Sequence, residues 1–420
     1  MPARLLRPRA PSRLWVPTVA ALAGAAVLGR SGAAQQPAQQ PAAAPARPTG
    51  PAPAAPDPAA PTPVAPTPTP PAADTAPSSA TAPVPAGGRR TTAPVPTAPR
   101  GANAPAPAAL APRAPAPVFT RERLLEIPTL PVAGGSPAAV LHVQVLLDAA
   151  GFSPGMLDGR WGENMRLALT AYREAAGLPA VDGDVVDETT YRRLTADANG
   201  RPAVTTYPVS AGDVRGPYRP VPGSIEEKSK ADCLCYESLL ERLSERFHVR
   251  QPVLRALNPG VDFAALRAGD EITVPNTWRL PPGRRVTRVL VDKDEGALRG
   301  LDAGGATVFW LPATVGSGDM PSPHGLLRVQ AVERNPVYRW DPAVLGDVSR
   351  NAPVRYLPGG PNNLVGLVWV ALSRPHVGIH GTPTPETVGY AASHGCVRLT
   401  NWDAVWFSGV ARAGLPVEFR

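Results

Sequence analysis

Residues 378–400 read GIHGTPTPETVGYAASHGCVRLT, and the thiol in them decides how the rest of the chain is read. Cys396 follows His394 by two positions and His380 by sixteen, with Gly381 and Gly395 alongside. Attack of sulfur on a peptide carbonyl needs a thiolate, a base to take the proton, donors for the oxyanion and a group that fixes the imidazole tautomer. Glycine before Cys396 lets a carbonyl approach the backbone, and the amides of Gly395 and Cys396 are candidates for the oxyanion hole. His380 reads as a strand end, and the Gly381 carbonyl is placed to accept its second ring N–H. A cationic His380 is expected to depress the thiol pKa; His394, on the same turn as the thiol, is the rival base. Two other readings stand beside catalysis on spacing alone. A cysteine near a histidine is often a small buried apolar residue, and His380, His394 and Cys396 are all zinc-ligand types. Against zinc, His-x-Cys puts two ligands on neighbouring positions, and His376 is the only further histidine nearby.

The other end of the chain bounds where such chemistry happens. Residues 1–13 carry Arg4, Arg7, Arg9 and Arg13, followed by the apolar run LWVPTVAALAGAAVLG and the small residues SGAA. This is the layout of a secretory signal peptide over 1–34, with cleavage expected near Ala33 or Ala34. Because the run is short and holds Pro17, a retained membrane anchor is the alternative. Removing the five arginines of this segment takes the formal charge from +8 to near +3, with no basic stripe interleaved with aromatics. Nucleic acid is therefore not an expected partner. From 35 to 117 the sequence is mostly alanine, proline and threonine, which bury too little apolar area to offset ordering; it reads as a disordered tether. Of three cysteines, an odd number in an oxidising compartment leaves one thiol unpaired. Cys233 and Cys235 read as too close for a relaxed disulfide, so they are taken as a structural or incidental pair.

Three folded regions follow. Over 136–195, Val140, Val143, Leu146 and Leu147 recur at helical spacing, Asp158-Gly159 is turn chemistry, and two more helices follow. Over 204–276 the order is strand, helix, helix, strand, with an irregular insert from Val214 to Cys235. Leu239, Leu240, Leu243 and Phe247 form one apolar face, and His248 reads as a capping or surface residue. Over 284–420 short runs rich in Val, Leu and aromatics alternate with Gly, Pro and Asp, giving a mainly-β, sandwich-like domain. One helix is expected from Thr384-Pro385 and another after Thr400-Asn401. The fold class is thus multidomain α+β.

These patterns resemble known families. Asp158, Gly159, Trp161 and Gly162 resemble the turn of the peptidoglycan-binding type 1 domain, with Trp161 read as a packing residue. The Y-x-V-x-x-G-D opening at Tyr207, the helix ending at Asn258 and the I-x-V-P close at Ile272 resemble a LysM module. His380-Gly381 and Ser393-His394-Gly395-Cys396 resemble the L,D-transpeptidase catalytic (YkuD) domain. That resemblance implies Cys396 as nucleophile, His380 as base and then acid, Gly381 as its orienter, and Gly395 with Cys396 at the oxyanion. Ser393, His394 and Arg398 are then substrate contacts. It implies a peptidoglycan L,D-transpeptidase that forms 3→3 cross-links through a thioester and needs no metal or other cofactor. Its partners are stem peptides and glycan strands, and its place is the periplasm or cell envelope. Hydrolysis of the thioester, attachment of a protein to the wall, and a non-catalytic wall-binding protein are the alternatives.

Overall fold

The computed structural model describes residues 118–279, 281–318, 320–345 and 352–420, all within the unit 104–420. The signal peptide and tether readings for 1–34 and 35–117 lie outside the described residues.

The first region is helical. A short helix α1 (Arg121–Leu125) precedes α2 (Pro137–Ala149), α3 (Glu163–Ala176) and α4 (Glu188–Asp197). Pro137 opens α2, where a missing N–H costs nothing, and Gly177 ends α3 in the left-handed region at φ 65°. Asp187 caps α4 by accepting from the Thr190 N–H. The Asp158-Gly159 turn is gripped from α2: Gln144 Oε1 accepts from both amides, at 3.1 and 2.8 Å. Trp161 packs against this helical core, as its turn position suggested.

In the second region β1 (Val204–Pro208) and β2 (Glu271–Pro275) pair antiparallel around α7 (Leu239–Arg246) and α8 (Gln251–Leu257). Asn258 ties the end of α8 to β2, donating to Leu254 O and Thr273 O and accepting from Thr273 N. Two short helices add to the expected strand-helix-helix-strand order, α5 (Ala211–Val214) and α6 (Ile225–Lys230). Each starts at a reciprocal cap, Ser210 with Asp213 and Ser224 with Glu227.

The third region holds β3 (Arg288–Asp292), β4 (Ala297–Leu301), β5 (Thr307–Pro312), β6 (Gly325–Arg334), β7 (Tyr338–Trp340), α9 (Pro342–Leu345), β8 (Arg355–Leu357), β9 (Val368–Leu372), β10 (Gly378–His380), β11 (Val397–Arg398), α10 (Asn401–Ser408) and β12 (Pro416–Phe419). Eight strands form one mixed sheet in the order β11-β10-β9-β6-β12-β3-β4-β5, while β7 and β8 pair as a separate hairpin. The long β6 serves both halves: its start pairs with β12 and, past a bulge near Val329, its end pairs with β9. Beyond β5, Thr314 exchanges two backbone bonds with Arg398 at 2.9 and 2.8 Å, so the two ends of the strand order meet. Val289, Leu298, Phe309, Val370, Ile379, Val397, Phe407 and Val417 fill the space between the halves. The helix expected at Thr384 is a single 3-10 turn, Pro385–Thr387, and the one after Thr400 is α10.

Two expectations need correction. Cys233 and Cys235 form a disulfide, with Cα atoms 5.2 Å apart. The chain is drawn in here from the roughly 6.6 Å that separates alternate Cα atoms of an extended strand, which brings residues i and i+2 within bridging range while Leu234 is buried in a small core. His248 does cap the end of α7, taking the left-handed region at φ 55° and donating its N–H to Glu245 O at 3.1 Å, but its side chain is not on the surface. Its Nδ1 donates to Asp148 Oδ2 at 2.9 Å, and its ring stacks on Trp402 at 5.1 Å.

The three regions share their cores. Leu141, Val145 and Leu157 of the first pack with Leu240, Leu254 and Val274 of the second. Ala297 and Trp310 of the third belong to the helical core. Phe152 pairs with Trp310 along the border strand β5, through Ser153 N to Trp310 O at 2.9 Å and Trp310 N to Gly151 O at 3.1 Å. At the junction of all three lies Arg279, 3% exposed at its side chain. It donates to Asp148 of α2, and to Asp403 of α10 at 2.8 Å. Burial pushes the Asp148 carboxyl up, but Arg279 and His248 outweigh it and hold it below the usual range.

Arg279→Met leaves two buried carboxylates without their guanidinium. Chemical denaturation of the full chain should show a loss of about 3–5 kcal/mol, the cost of breaking rather than replacing a buried pair.

Candidate active site

The site grows from the β10–β11 edge. These strands run parallel, with Ile379 opposite Val397 and His380 opposite Arg398. Alternation sends Ile379 and Val397 into the core and puts His380, Arg398 and Cys396 on the other face. Cys396 sits in the bend immediately before β11, two residues from Arg398, the register partner of His380. Cys396 and His380 line one cleft of about 770 Å³, together with Ser393, His394, Arg398 and Trp369.

His380 is 5% exposed. Its Nδ1 donates to Gly381 O at 2.6 Å, which fixes the tautomer and leaves Nε2 as the acceptor. Trp369, its partner on β9, stacks on the ring at 5.5 Å and 22°. Burial lowers the imidazole pKa to about 4; the Gly381 bond opposes this and Arg398 adds to it. The Cys396 thiol is pushed up by burial, against smaller downward pulls from the Gly378 N–H and from Arg398. The expected cationic His380 beside a thiolate is therefore replaced by a neutral imidazole beside a thiol. The physical reason is desolvation, which penalises both charged forms.

The loop before the thiol is tied down from inside. The Ser393 hydroxyl donates to Cys396 O at 2.6 Å and accepts from the Gly395 N–H at 3.2 Å. Gly395 has φ 102°, a value that glycine alone takes readily, and its carbonyl accepts from Ser322 Oγ at 3.0 Å. The thiol donates to His376 O at 3.4 Å. His394 is exposed at the cleft surface. Among the described residues, no group of three His, Cys, Asp or Glu side chains is gathered to hold a metal.

Several contributors were not anticipated. Tyr338 on β7 lies near Cys396 and Arg398; burial foremost, and then Cys396, push its phenol up to about 12. Asn401 backs the histidine loop. Its Oδ1 accepts from Leu367 N at 3.1 Å and would lie 2.3 Å from any Cβ at residue 381, so Gly381 is needed there for space. Its Nδ2 donates to Glu245 of α7 at 3.0 and 3.1 Å, so the second region supports the loop after His380. Only the capping position of Asn401 was visible in sequence, and nothing there pairs it with Glu245.

Comparison with known proteins can now be set against this geometry. Residues 286–419 match the L,D-transpeptidase catalytic domain. That places an enzyme of the L,D-transpeptidase type in the last third of the chain. Residues 136–194 match a peptidoglycan binding domain. The chain is 29% identical over 179 residues to the L,D-transpeptidase YkuD of Bacillus licheniformis, covering 43% of this chain and 92% of that one. It is 31% identical over 187 residues to the L,D-transpeptidase ErfK/SrfK of Salmonella typhimurium, covering 43% and 58%. The chain thus spans nearly all of one relative and little over half of the other. A solved L,D-transpeptidase from Xylanimonas cellulosilytica is similar over 67% of this chain and 92% of its own, at 18% identity and a TM-score of 0.30.

Burial also raises the Glu245 carboxyl to about 8, so the folded state favours its neutral form. The group binds more protons folded than unfolded between about pH 4.3 and pH 8, so its contribution to stability falls as pH rises through that window. Wild type should lose up to about 1.4 kcal/mol per pH unit there from this group. Denaturation of Glu245→Gln across the same range should show a flatter profile.

Proposed function

We propose that the protein is an exported peptidoglycan L,D-transpeptidase acting through Cys396 and His380. The observation that carries this reading is a single cleft lined by both the Cys396 thiol and an imidazole whose Nδ1 is locked to Gly381 O. His380 Nε2 takes the Cys396 proton as sulfur attacks the carbonyl of the third residue of a tetrapeptide stem. The amide nitrogen of the terminal D-Ala receives that proton and leaves, and an Sγ–C thioester remains. A side-chain amine of a neighbouring stem then attacks; His380 removes its proton and returns one to the sulfur, giving a 3→3 link and a free thiol.

A neutral pair suits this sequence. A histidine with pKa about 4 is a free base across the neutral range, and the thiol loses its proton only as the carbonyl arrives. The Arg398 guanidinium, facing both groups, favours negative charge as it develops on sulfur. The Gly395 N–H is engaged by Ser393, so Ser393 is assigned to holding the loop, and the Cys396 N–H is the oxyanion donor of this proposal. His394 at the rim contacts substrate. No step calls on a metal or nucleotide. The helical module supplies a second attachment to peptidoglycan, and the strand-helix-helix-strand region a LysM-like one. Both fit a location in the periplasm or cell wall.

Purified wild type incubated with a stem tetrapeptide should gain the mass of the acyl tripeptide on intact-mass analysis, and Cys396→Ala should gain nothing. Equal labelling of the variant would overturn the assignment. The acid limb of kcat/KM for acylation should fall near pH 4, with activity lost as pH drops through it; a limb near 6.5 would contradict the neutral imidazole.

A further inference from the structure

The insert from Val214 to Cys235 departs from the compact pattern of its own module, and the structure shows where it goes. Leu234, fully buried, joins Trp340 and Leu357 of the catalytic domain in a small core, with Val221, Ile225, Tyr338 and Leu364 packed around it. The backbone is clamped on both sides: Leu234 N donates to Gly359 O at 3.0 Å, and Asn362 N donates to Leu234 O at 2.9 Å. Asn362 Nδ2 also donates to Cys235 O at 2.9 Å. A Cβ on Gly360 would lie 2.1 Å from Leu234 O, so the two chains meet at a distance only glycine permits. The Cys233–Cys235 disulfide fixes the segment on either side of Leu234.

This anchorage carries α6 to the cleft. Ile225 and Lys228, three apart and hence on one helical face, both line the cavity that holds Cys396 and His380. Glu226 and Lys230 pair with each other at 2.7 Å on a different face, and Glu226 also feels Arg355 of β8. Lys228 makes no ion pair among the described residues, whereas Arg339 and Asp341 in the same cleft neutralise each other at 2.6 Å. Lys228 thus adds a cation without an ion-pair partner among the described residues to a cleft wall that also holds Arg398 and the carboxylate of Glu333.

We infer that the insert is part of the substrate-binding surface, with Ile225 and Lys228 forming a wall of the cleft and the Lys228 ammonium pairing with a carboxylate of the bound stem peptide. This rests on the transpeptidase reading and adds to it a specificity contact supplied by a different module. Lys228 touches neither the thiol nor the imidazole, so its effect falls on binding.

Steady-state acylation of the full chain tests it, using a stem tetrapeptide with free carboxylates at its second and third residues and the same peptide with those carboxylates amidated. Lys228→Ala should raise KM for the free-carboxylate peptide on the order of tenfold with kcat nearly unchanged, and Lys228→Arg should restore it. Amidation should weaken wild type similarly and erase the difference between wild type and Lys228→Ala. Failure of wild type to turn over either peptide would overturn the transpeptidase reading itself. A turning-over wild type whose KM is unaffected by Lys228→Ala, or equally affected with both peptides, would overturn the role of Lys228 alone.

Discussion

One guanidinium holds the architecture together. Arg279 sits on the connection into the catalytic domain and reaches a carboxylate on either side, Asp148 of the helical region and Asp403 of α10. His248 of the second region donates to the same Asp148, and Ser153 Oγ donates to Asp403 at 3.0 Å. Charges removed from water to this degree are tolerated only when each has its partner in place. The contact is therefore less a source of net stability than a condition on geometry: the regions dock in the arrangement that satisfies it. Around it, apolar side chains from neighbouring regions fill common cores, which makes the assembly continuous.

That continuity reaches the chemistry. Glu245 of α7 holds Asn401, Asn401 fits against Gly381, and the Gly381 carbonyl sets the tautomer of His380. The insert of the same region lines the cleft on another side. A module that reads in sequence as an independent wall-binding unit thus supplies both the support behind the histidine and part of the surface in front of it. Desolvation by this enclosure favours the neutral forms of both thiol and imidazole.

Sequence exposed the chemistry more readily than the assembly. Ser393 to Cys396 and His380-Gly381 could be singled out because thiol chemistry restricts residue types over short spans, and the strands β3 to β6, β9 and β10 could be read as short runs rich in Val, Leu and aromatics between Gly, Pro and Asp. The run through Val332 and Tyr338 is broken into β6 and β7 at Asn335, whose φ is 52°. β8, β11 and β12 were missed because two to four residues carry no period, although β12 lies in the middle of the sheet. The caps at Ser210 and Ser224 were readable but short. Pairings such as His248 with Asp148, or Glu245 with Asn401, join positions 100 and 156 residues apart, and no local pattern announces them.

The seating of Phe152 along β5 has a consequence for how this enzyme can be taken apart. β5 is the last strand of the sheet order, and the helical region both pairs with its backbone and encloses Trp310. Cutting the chain between the helices and the sheet would strip a tryptophan bare and leave its amide and carbonyl unspent on β5. An edge strand so uncovered invites a second copy to add its own strand. The helices are thus a guard against self-association as well as a hold on the wall.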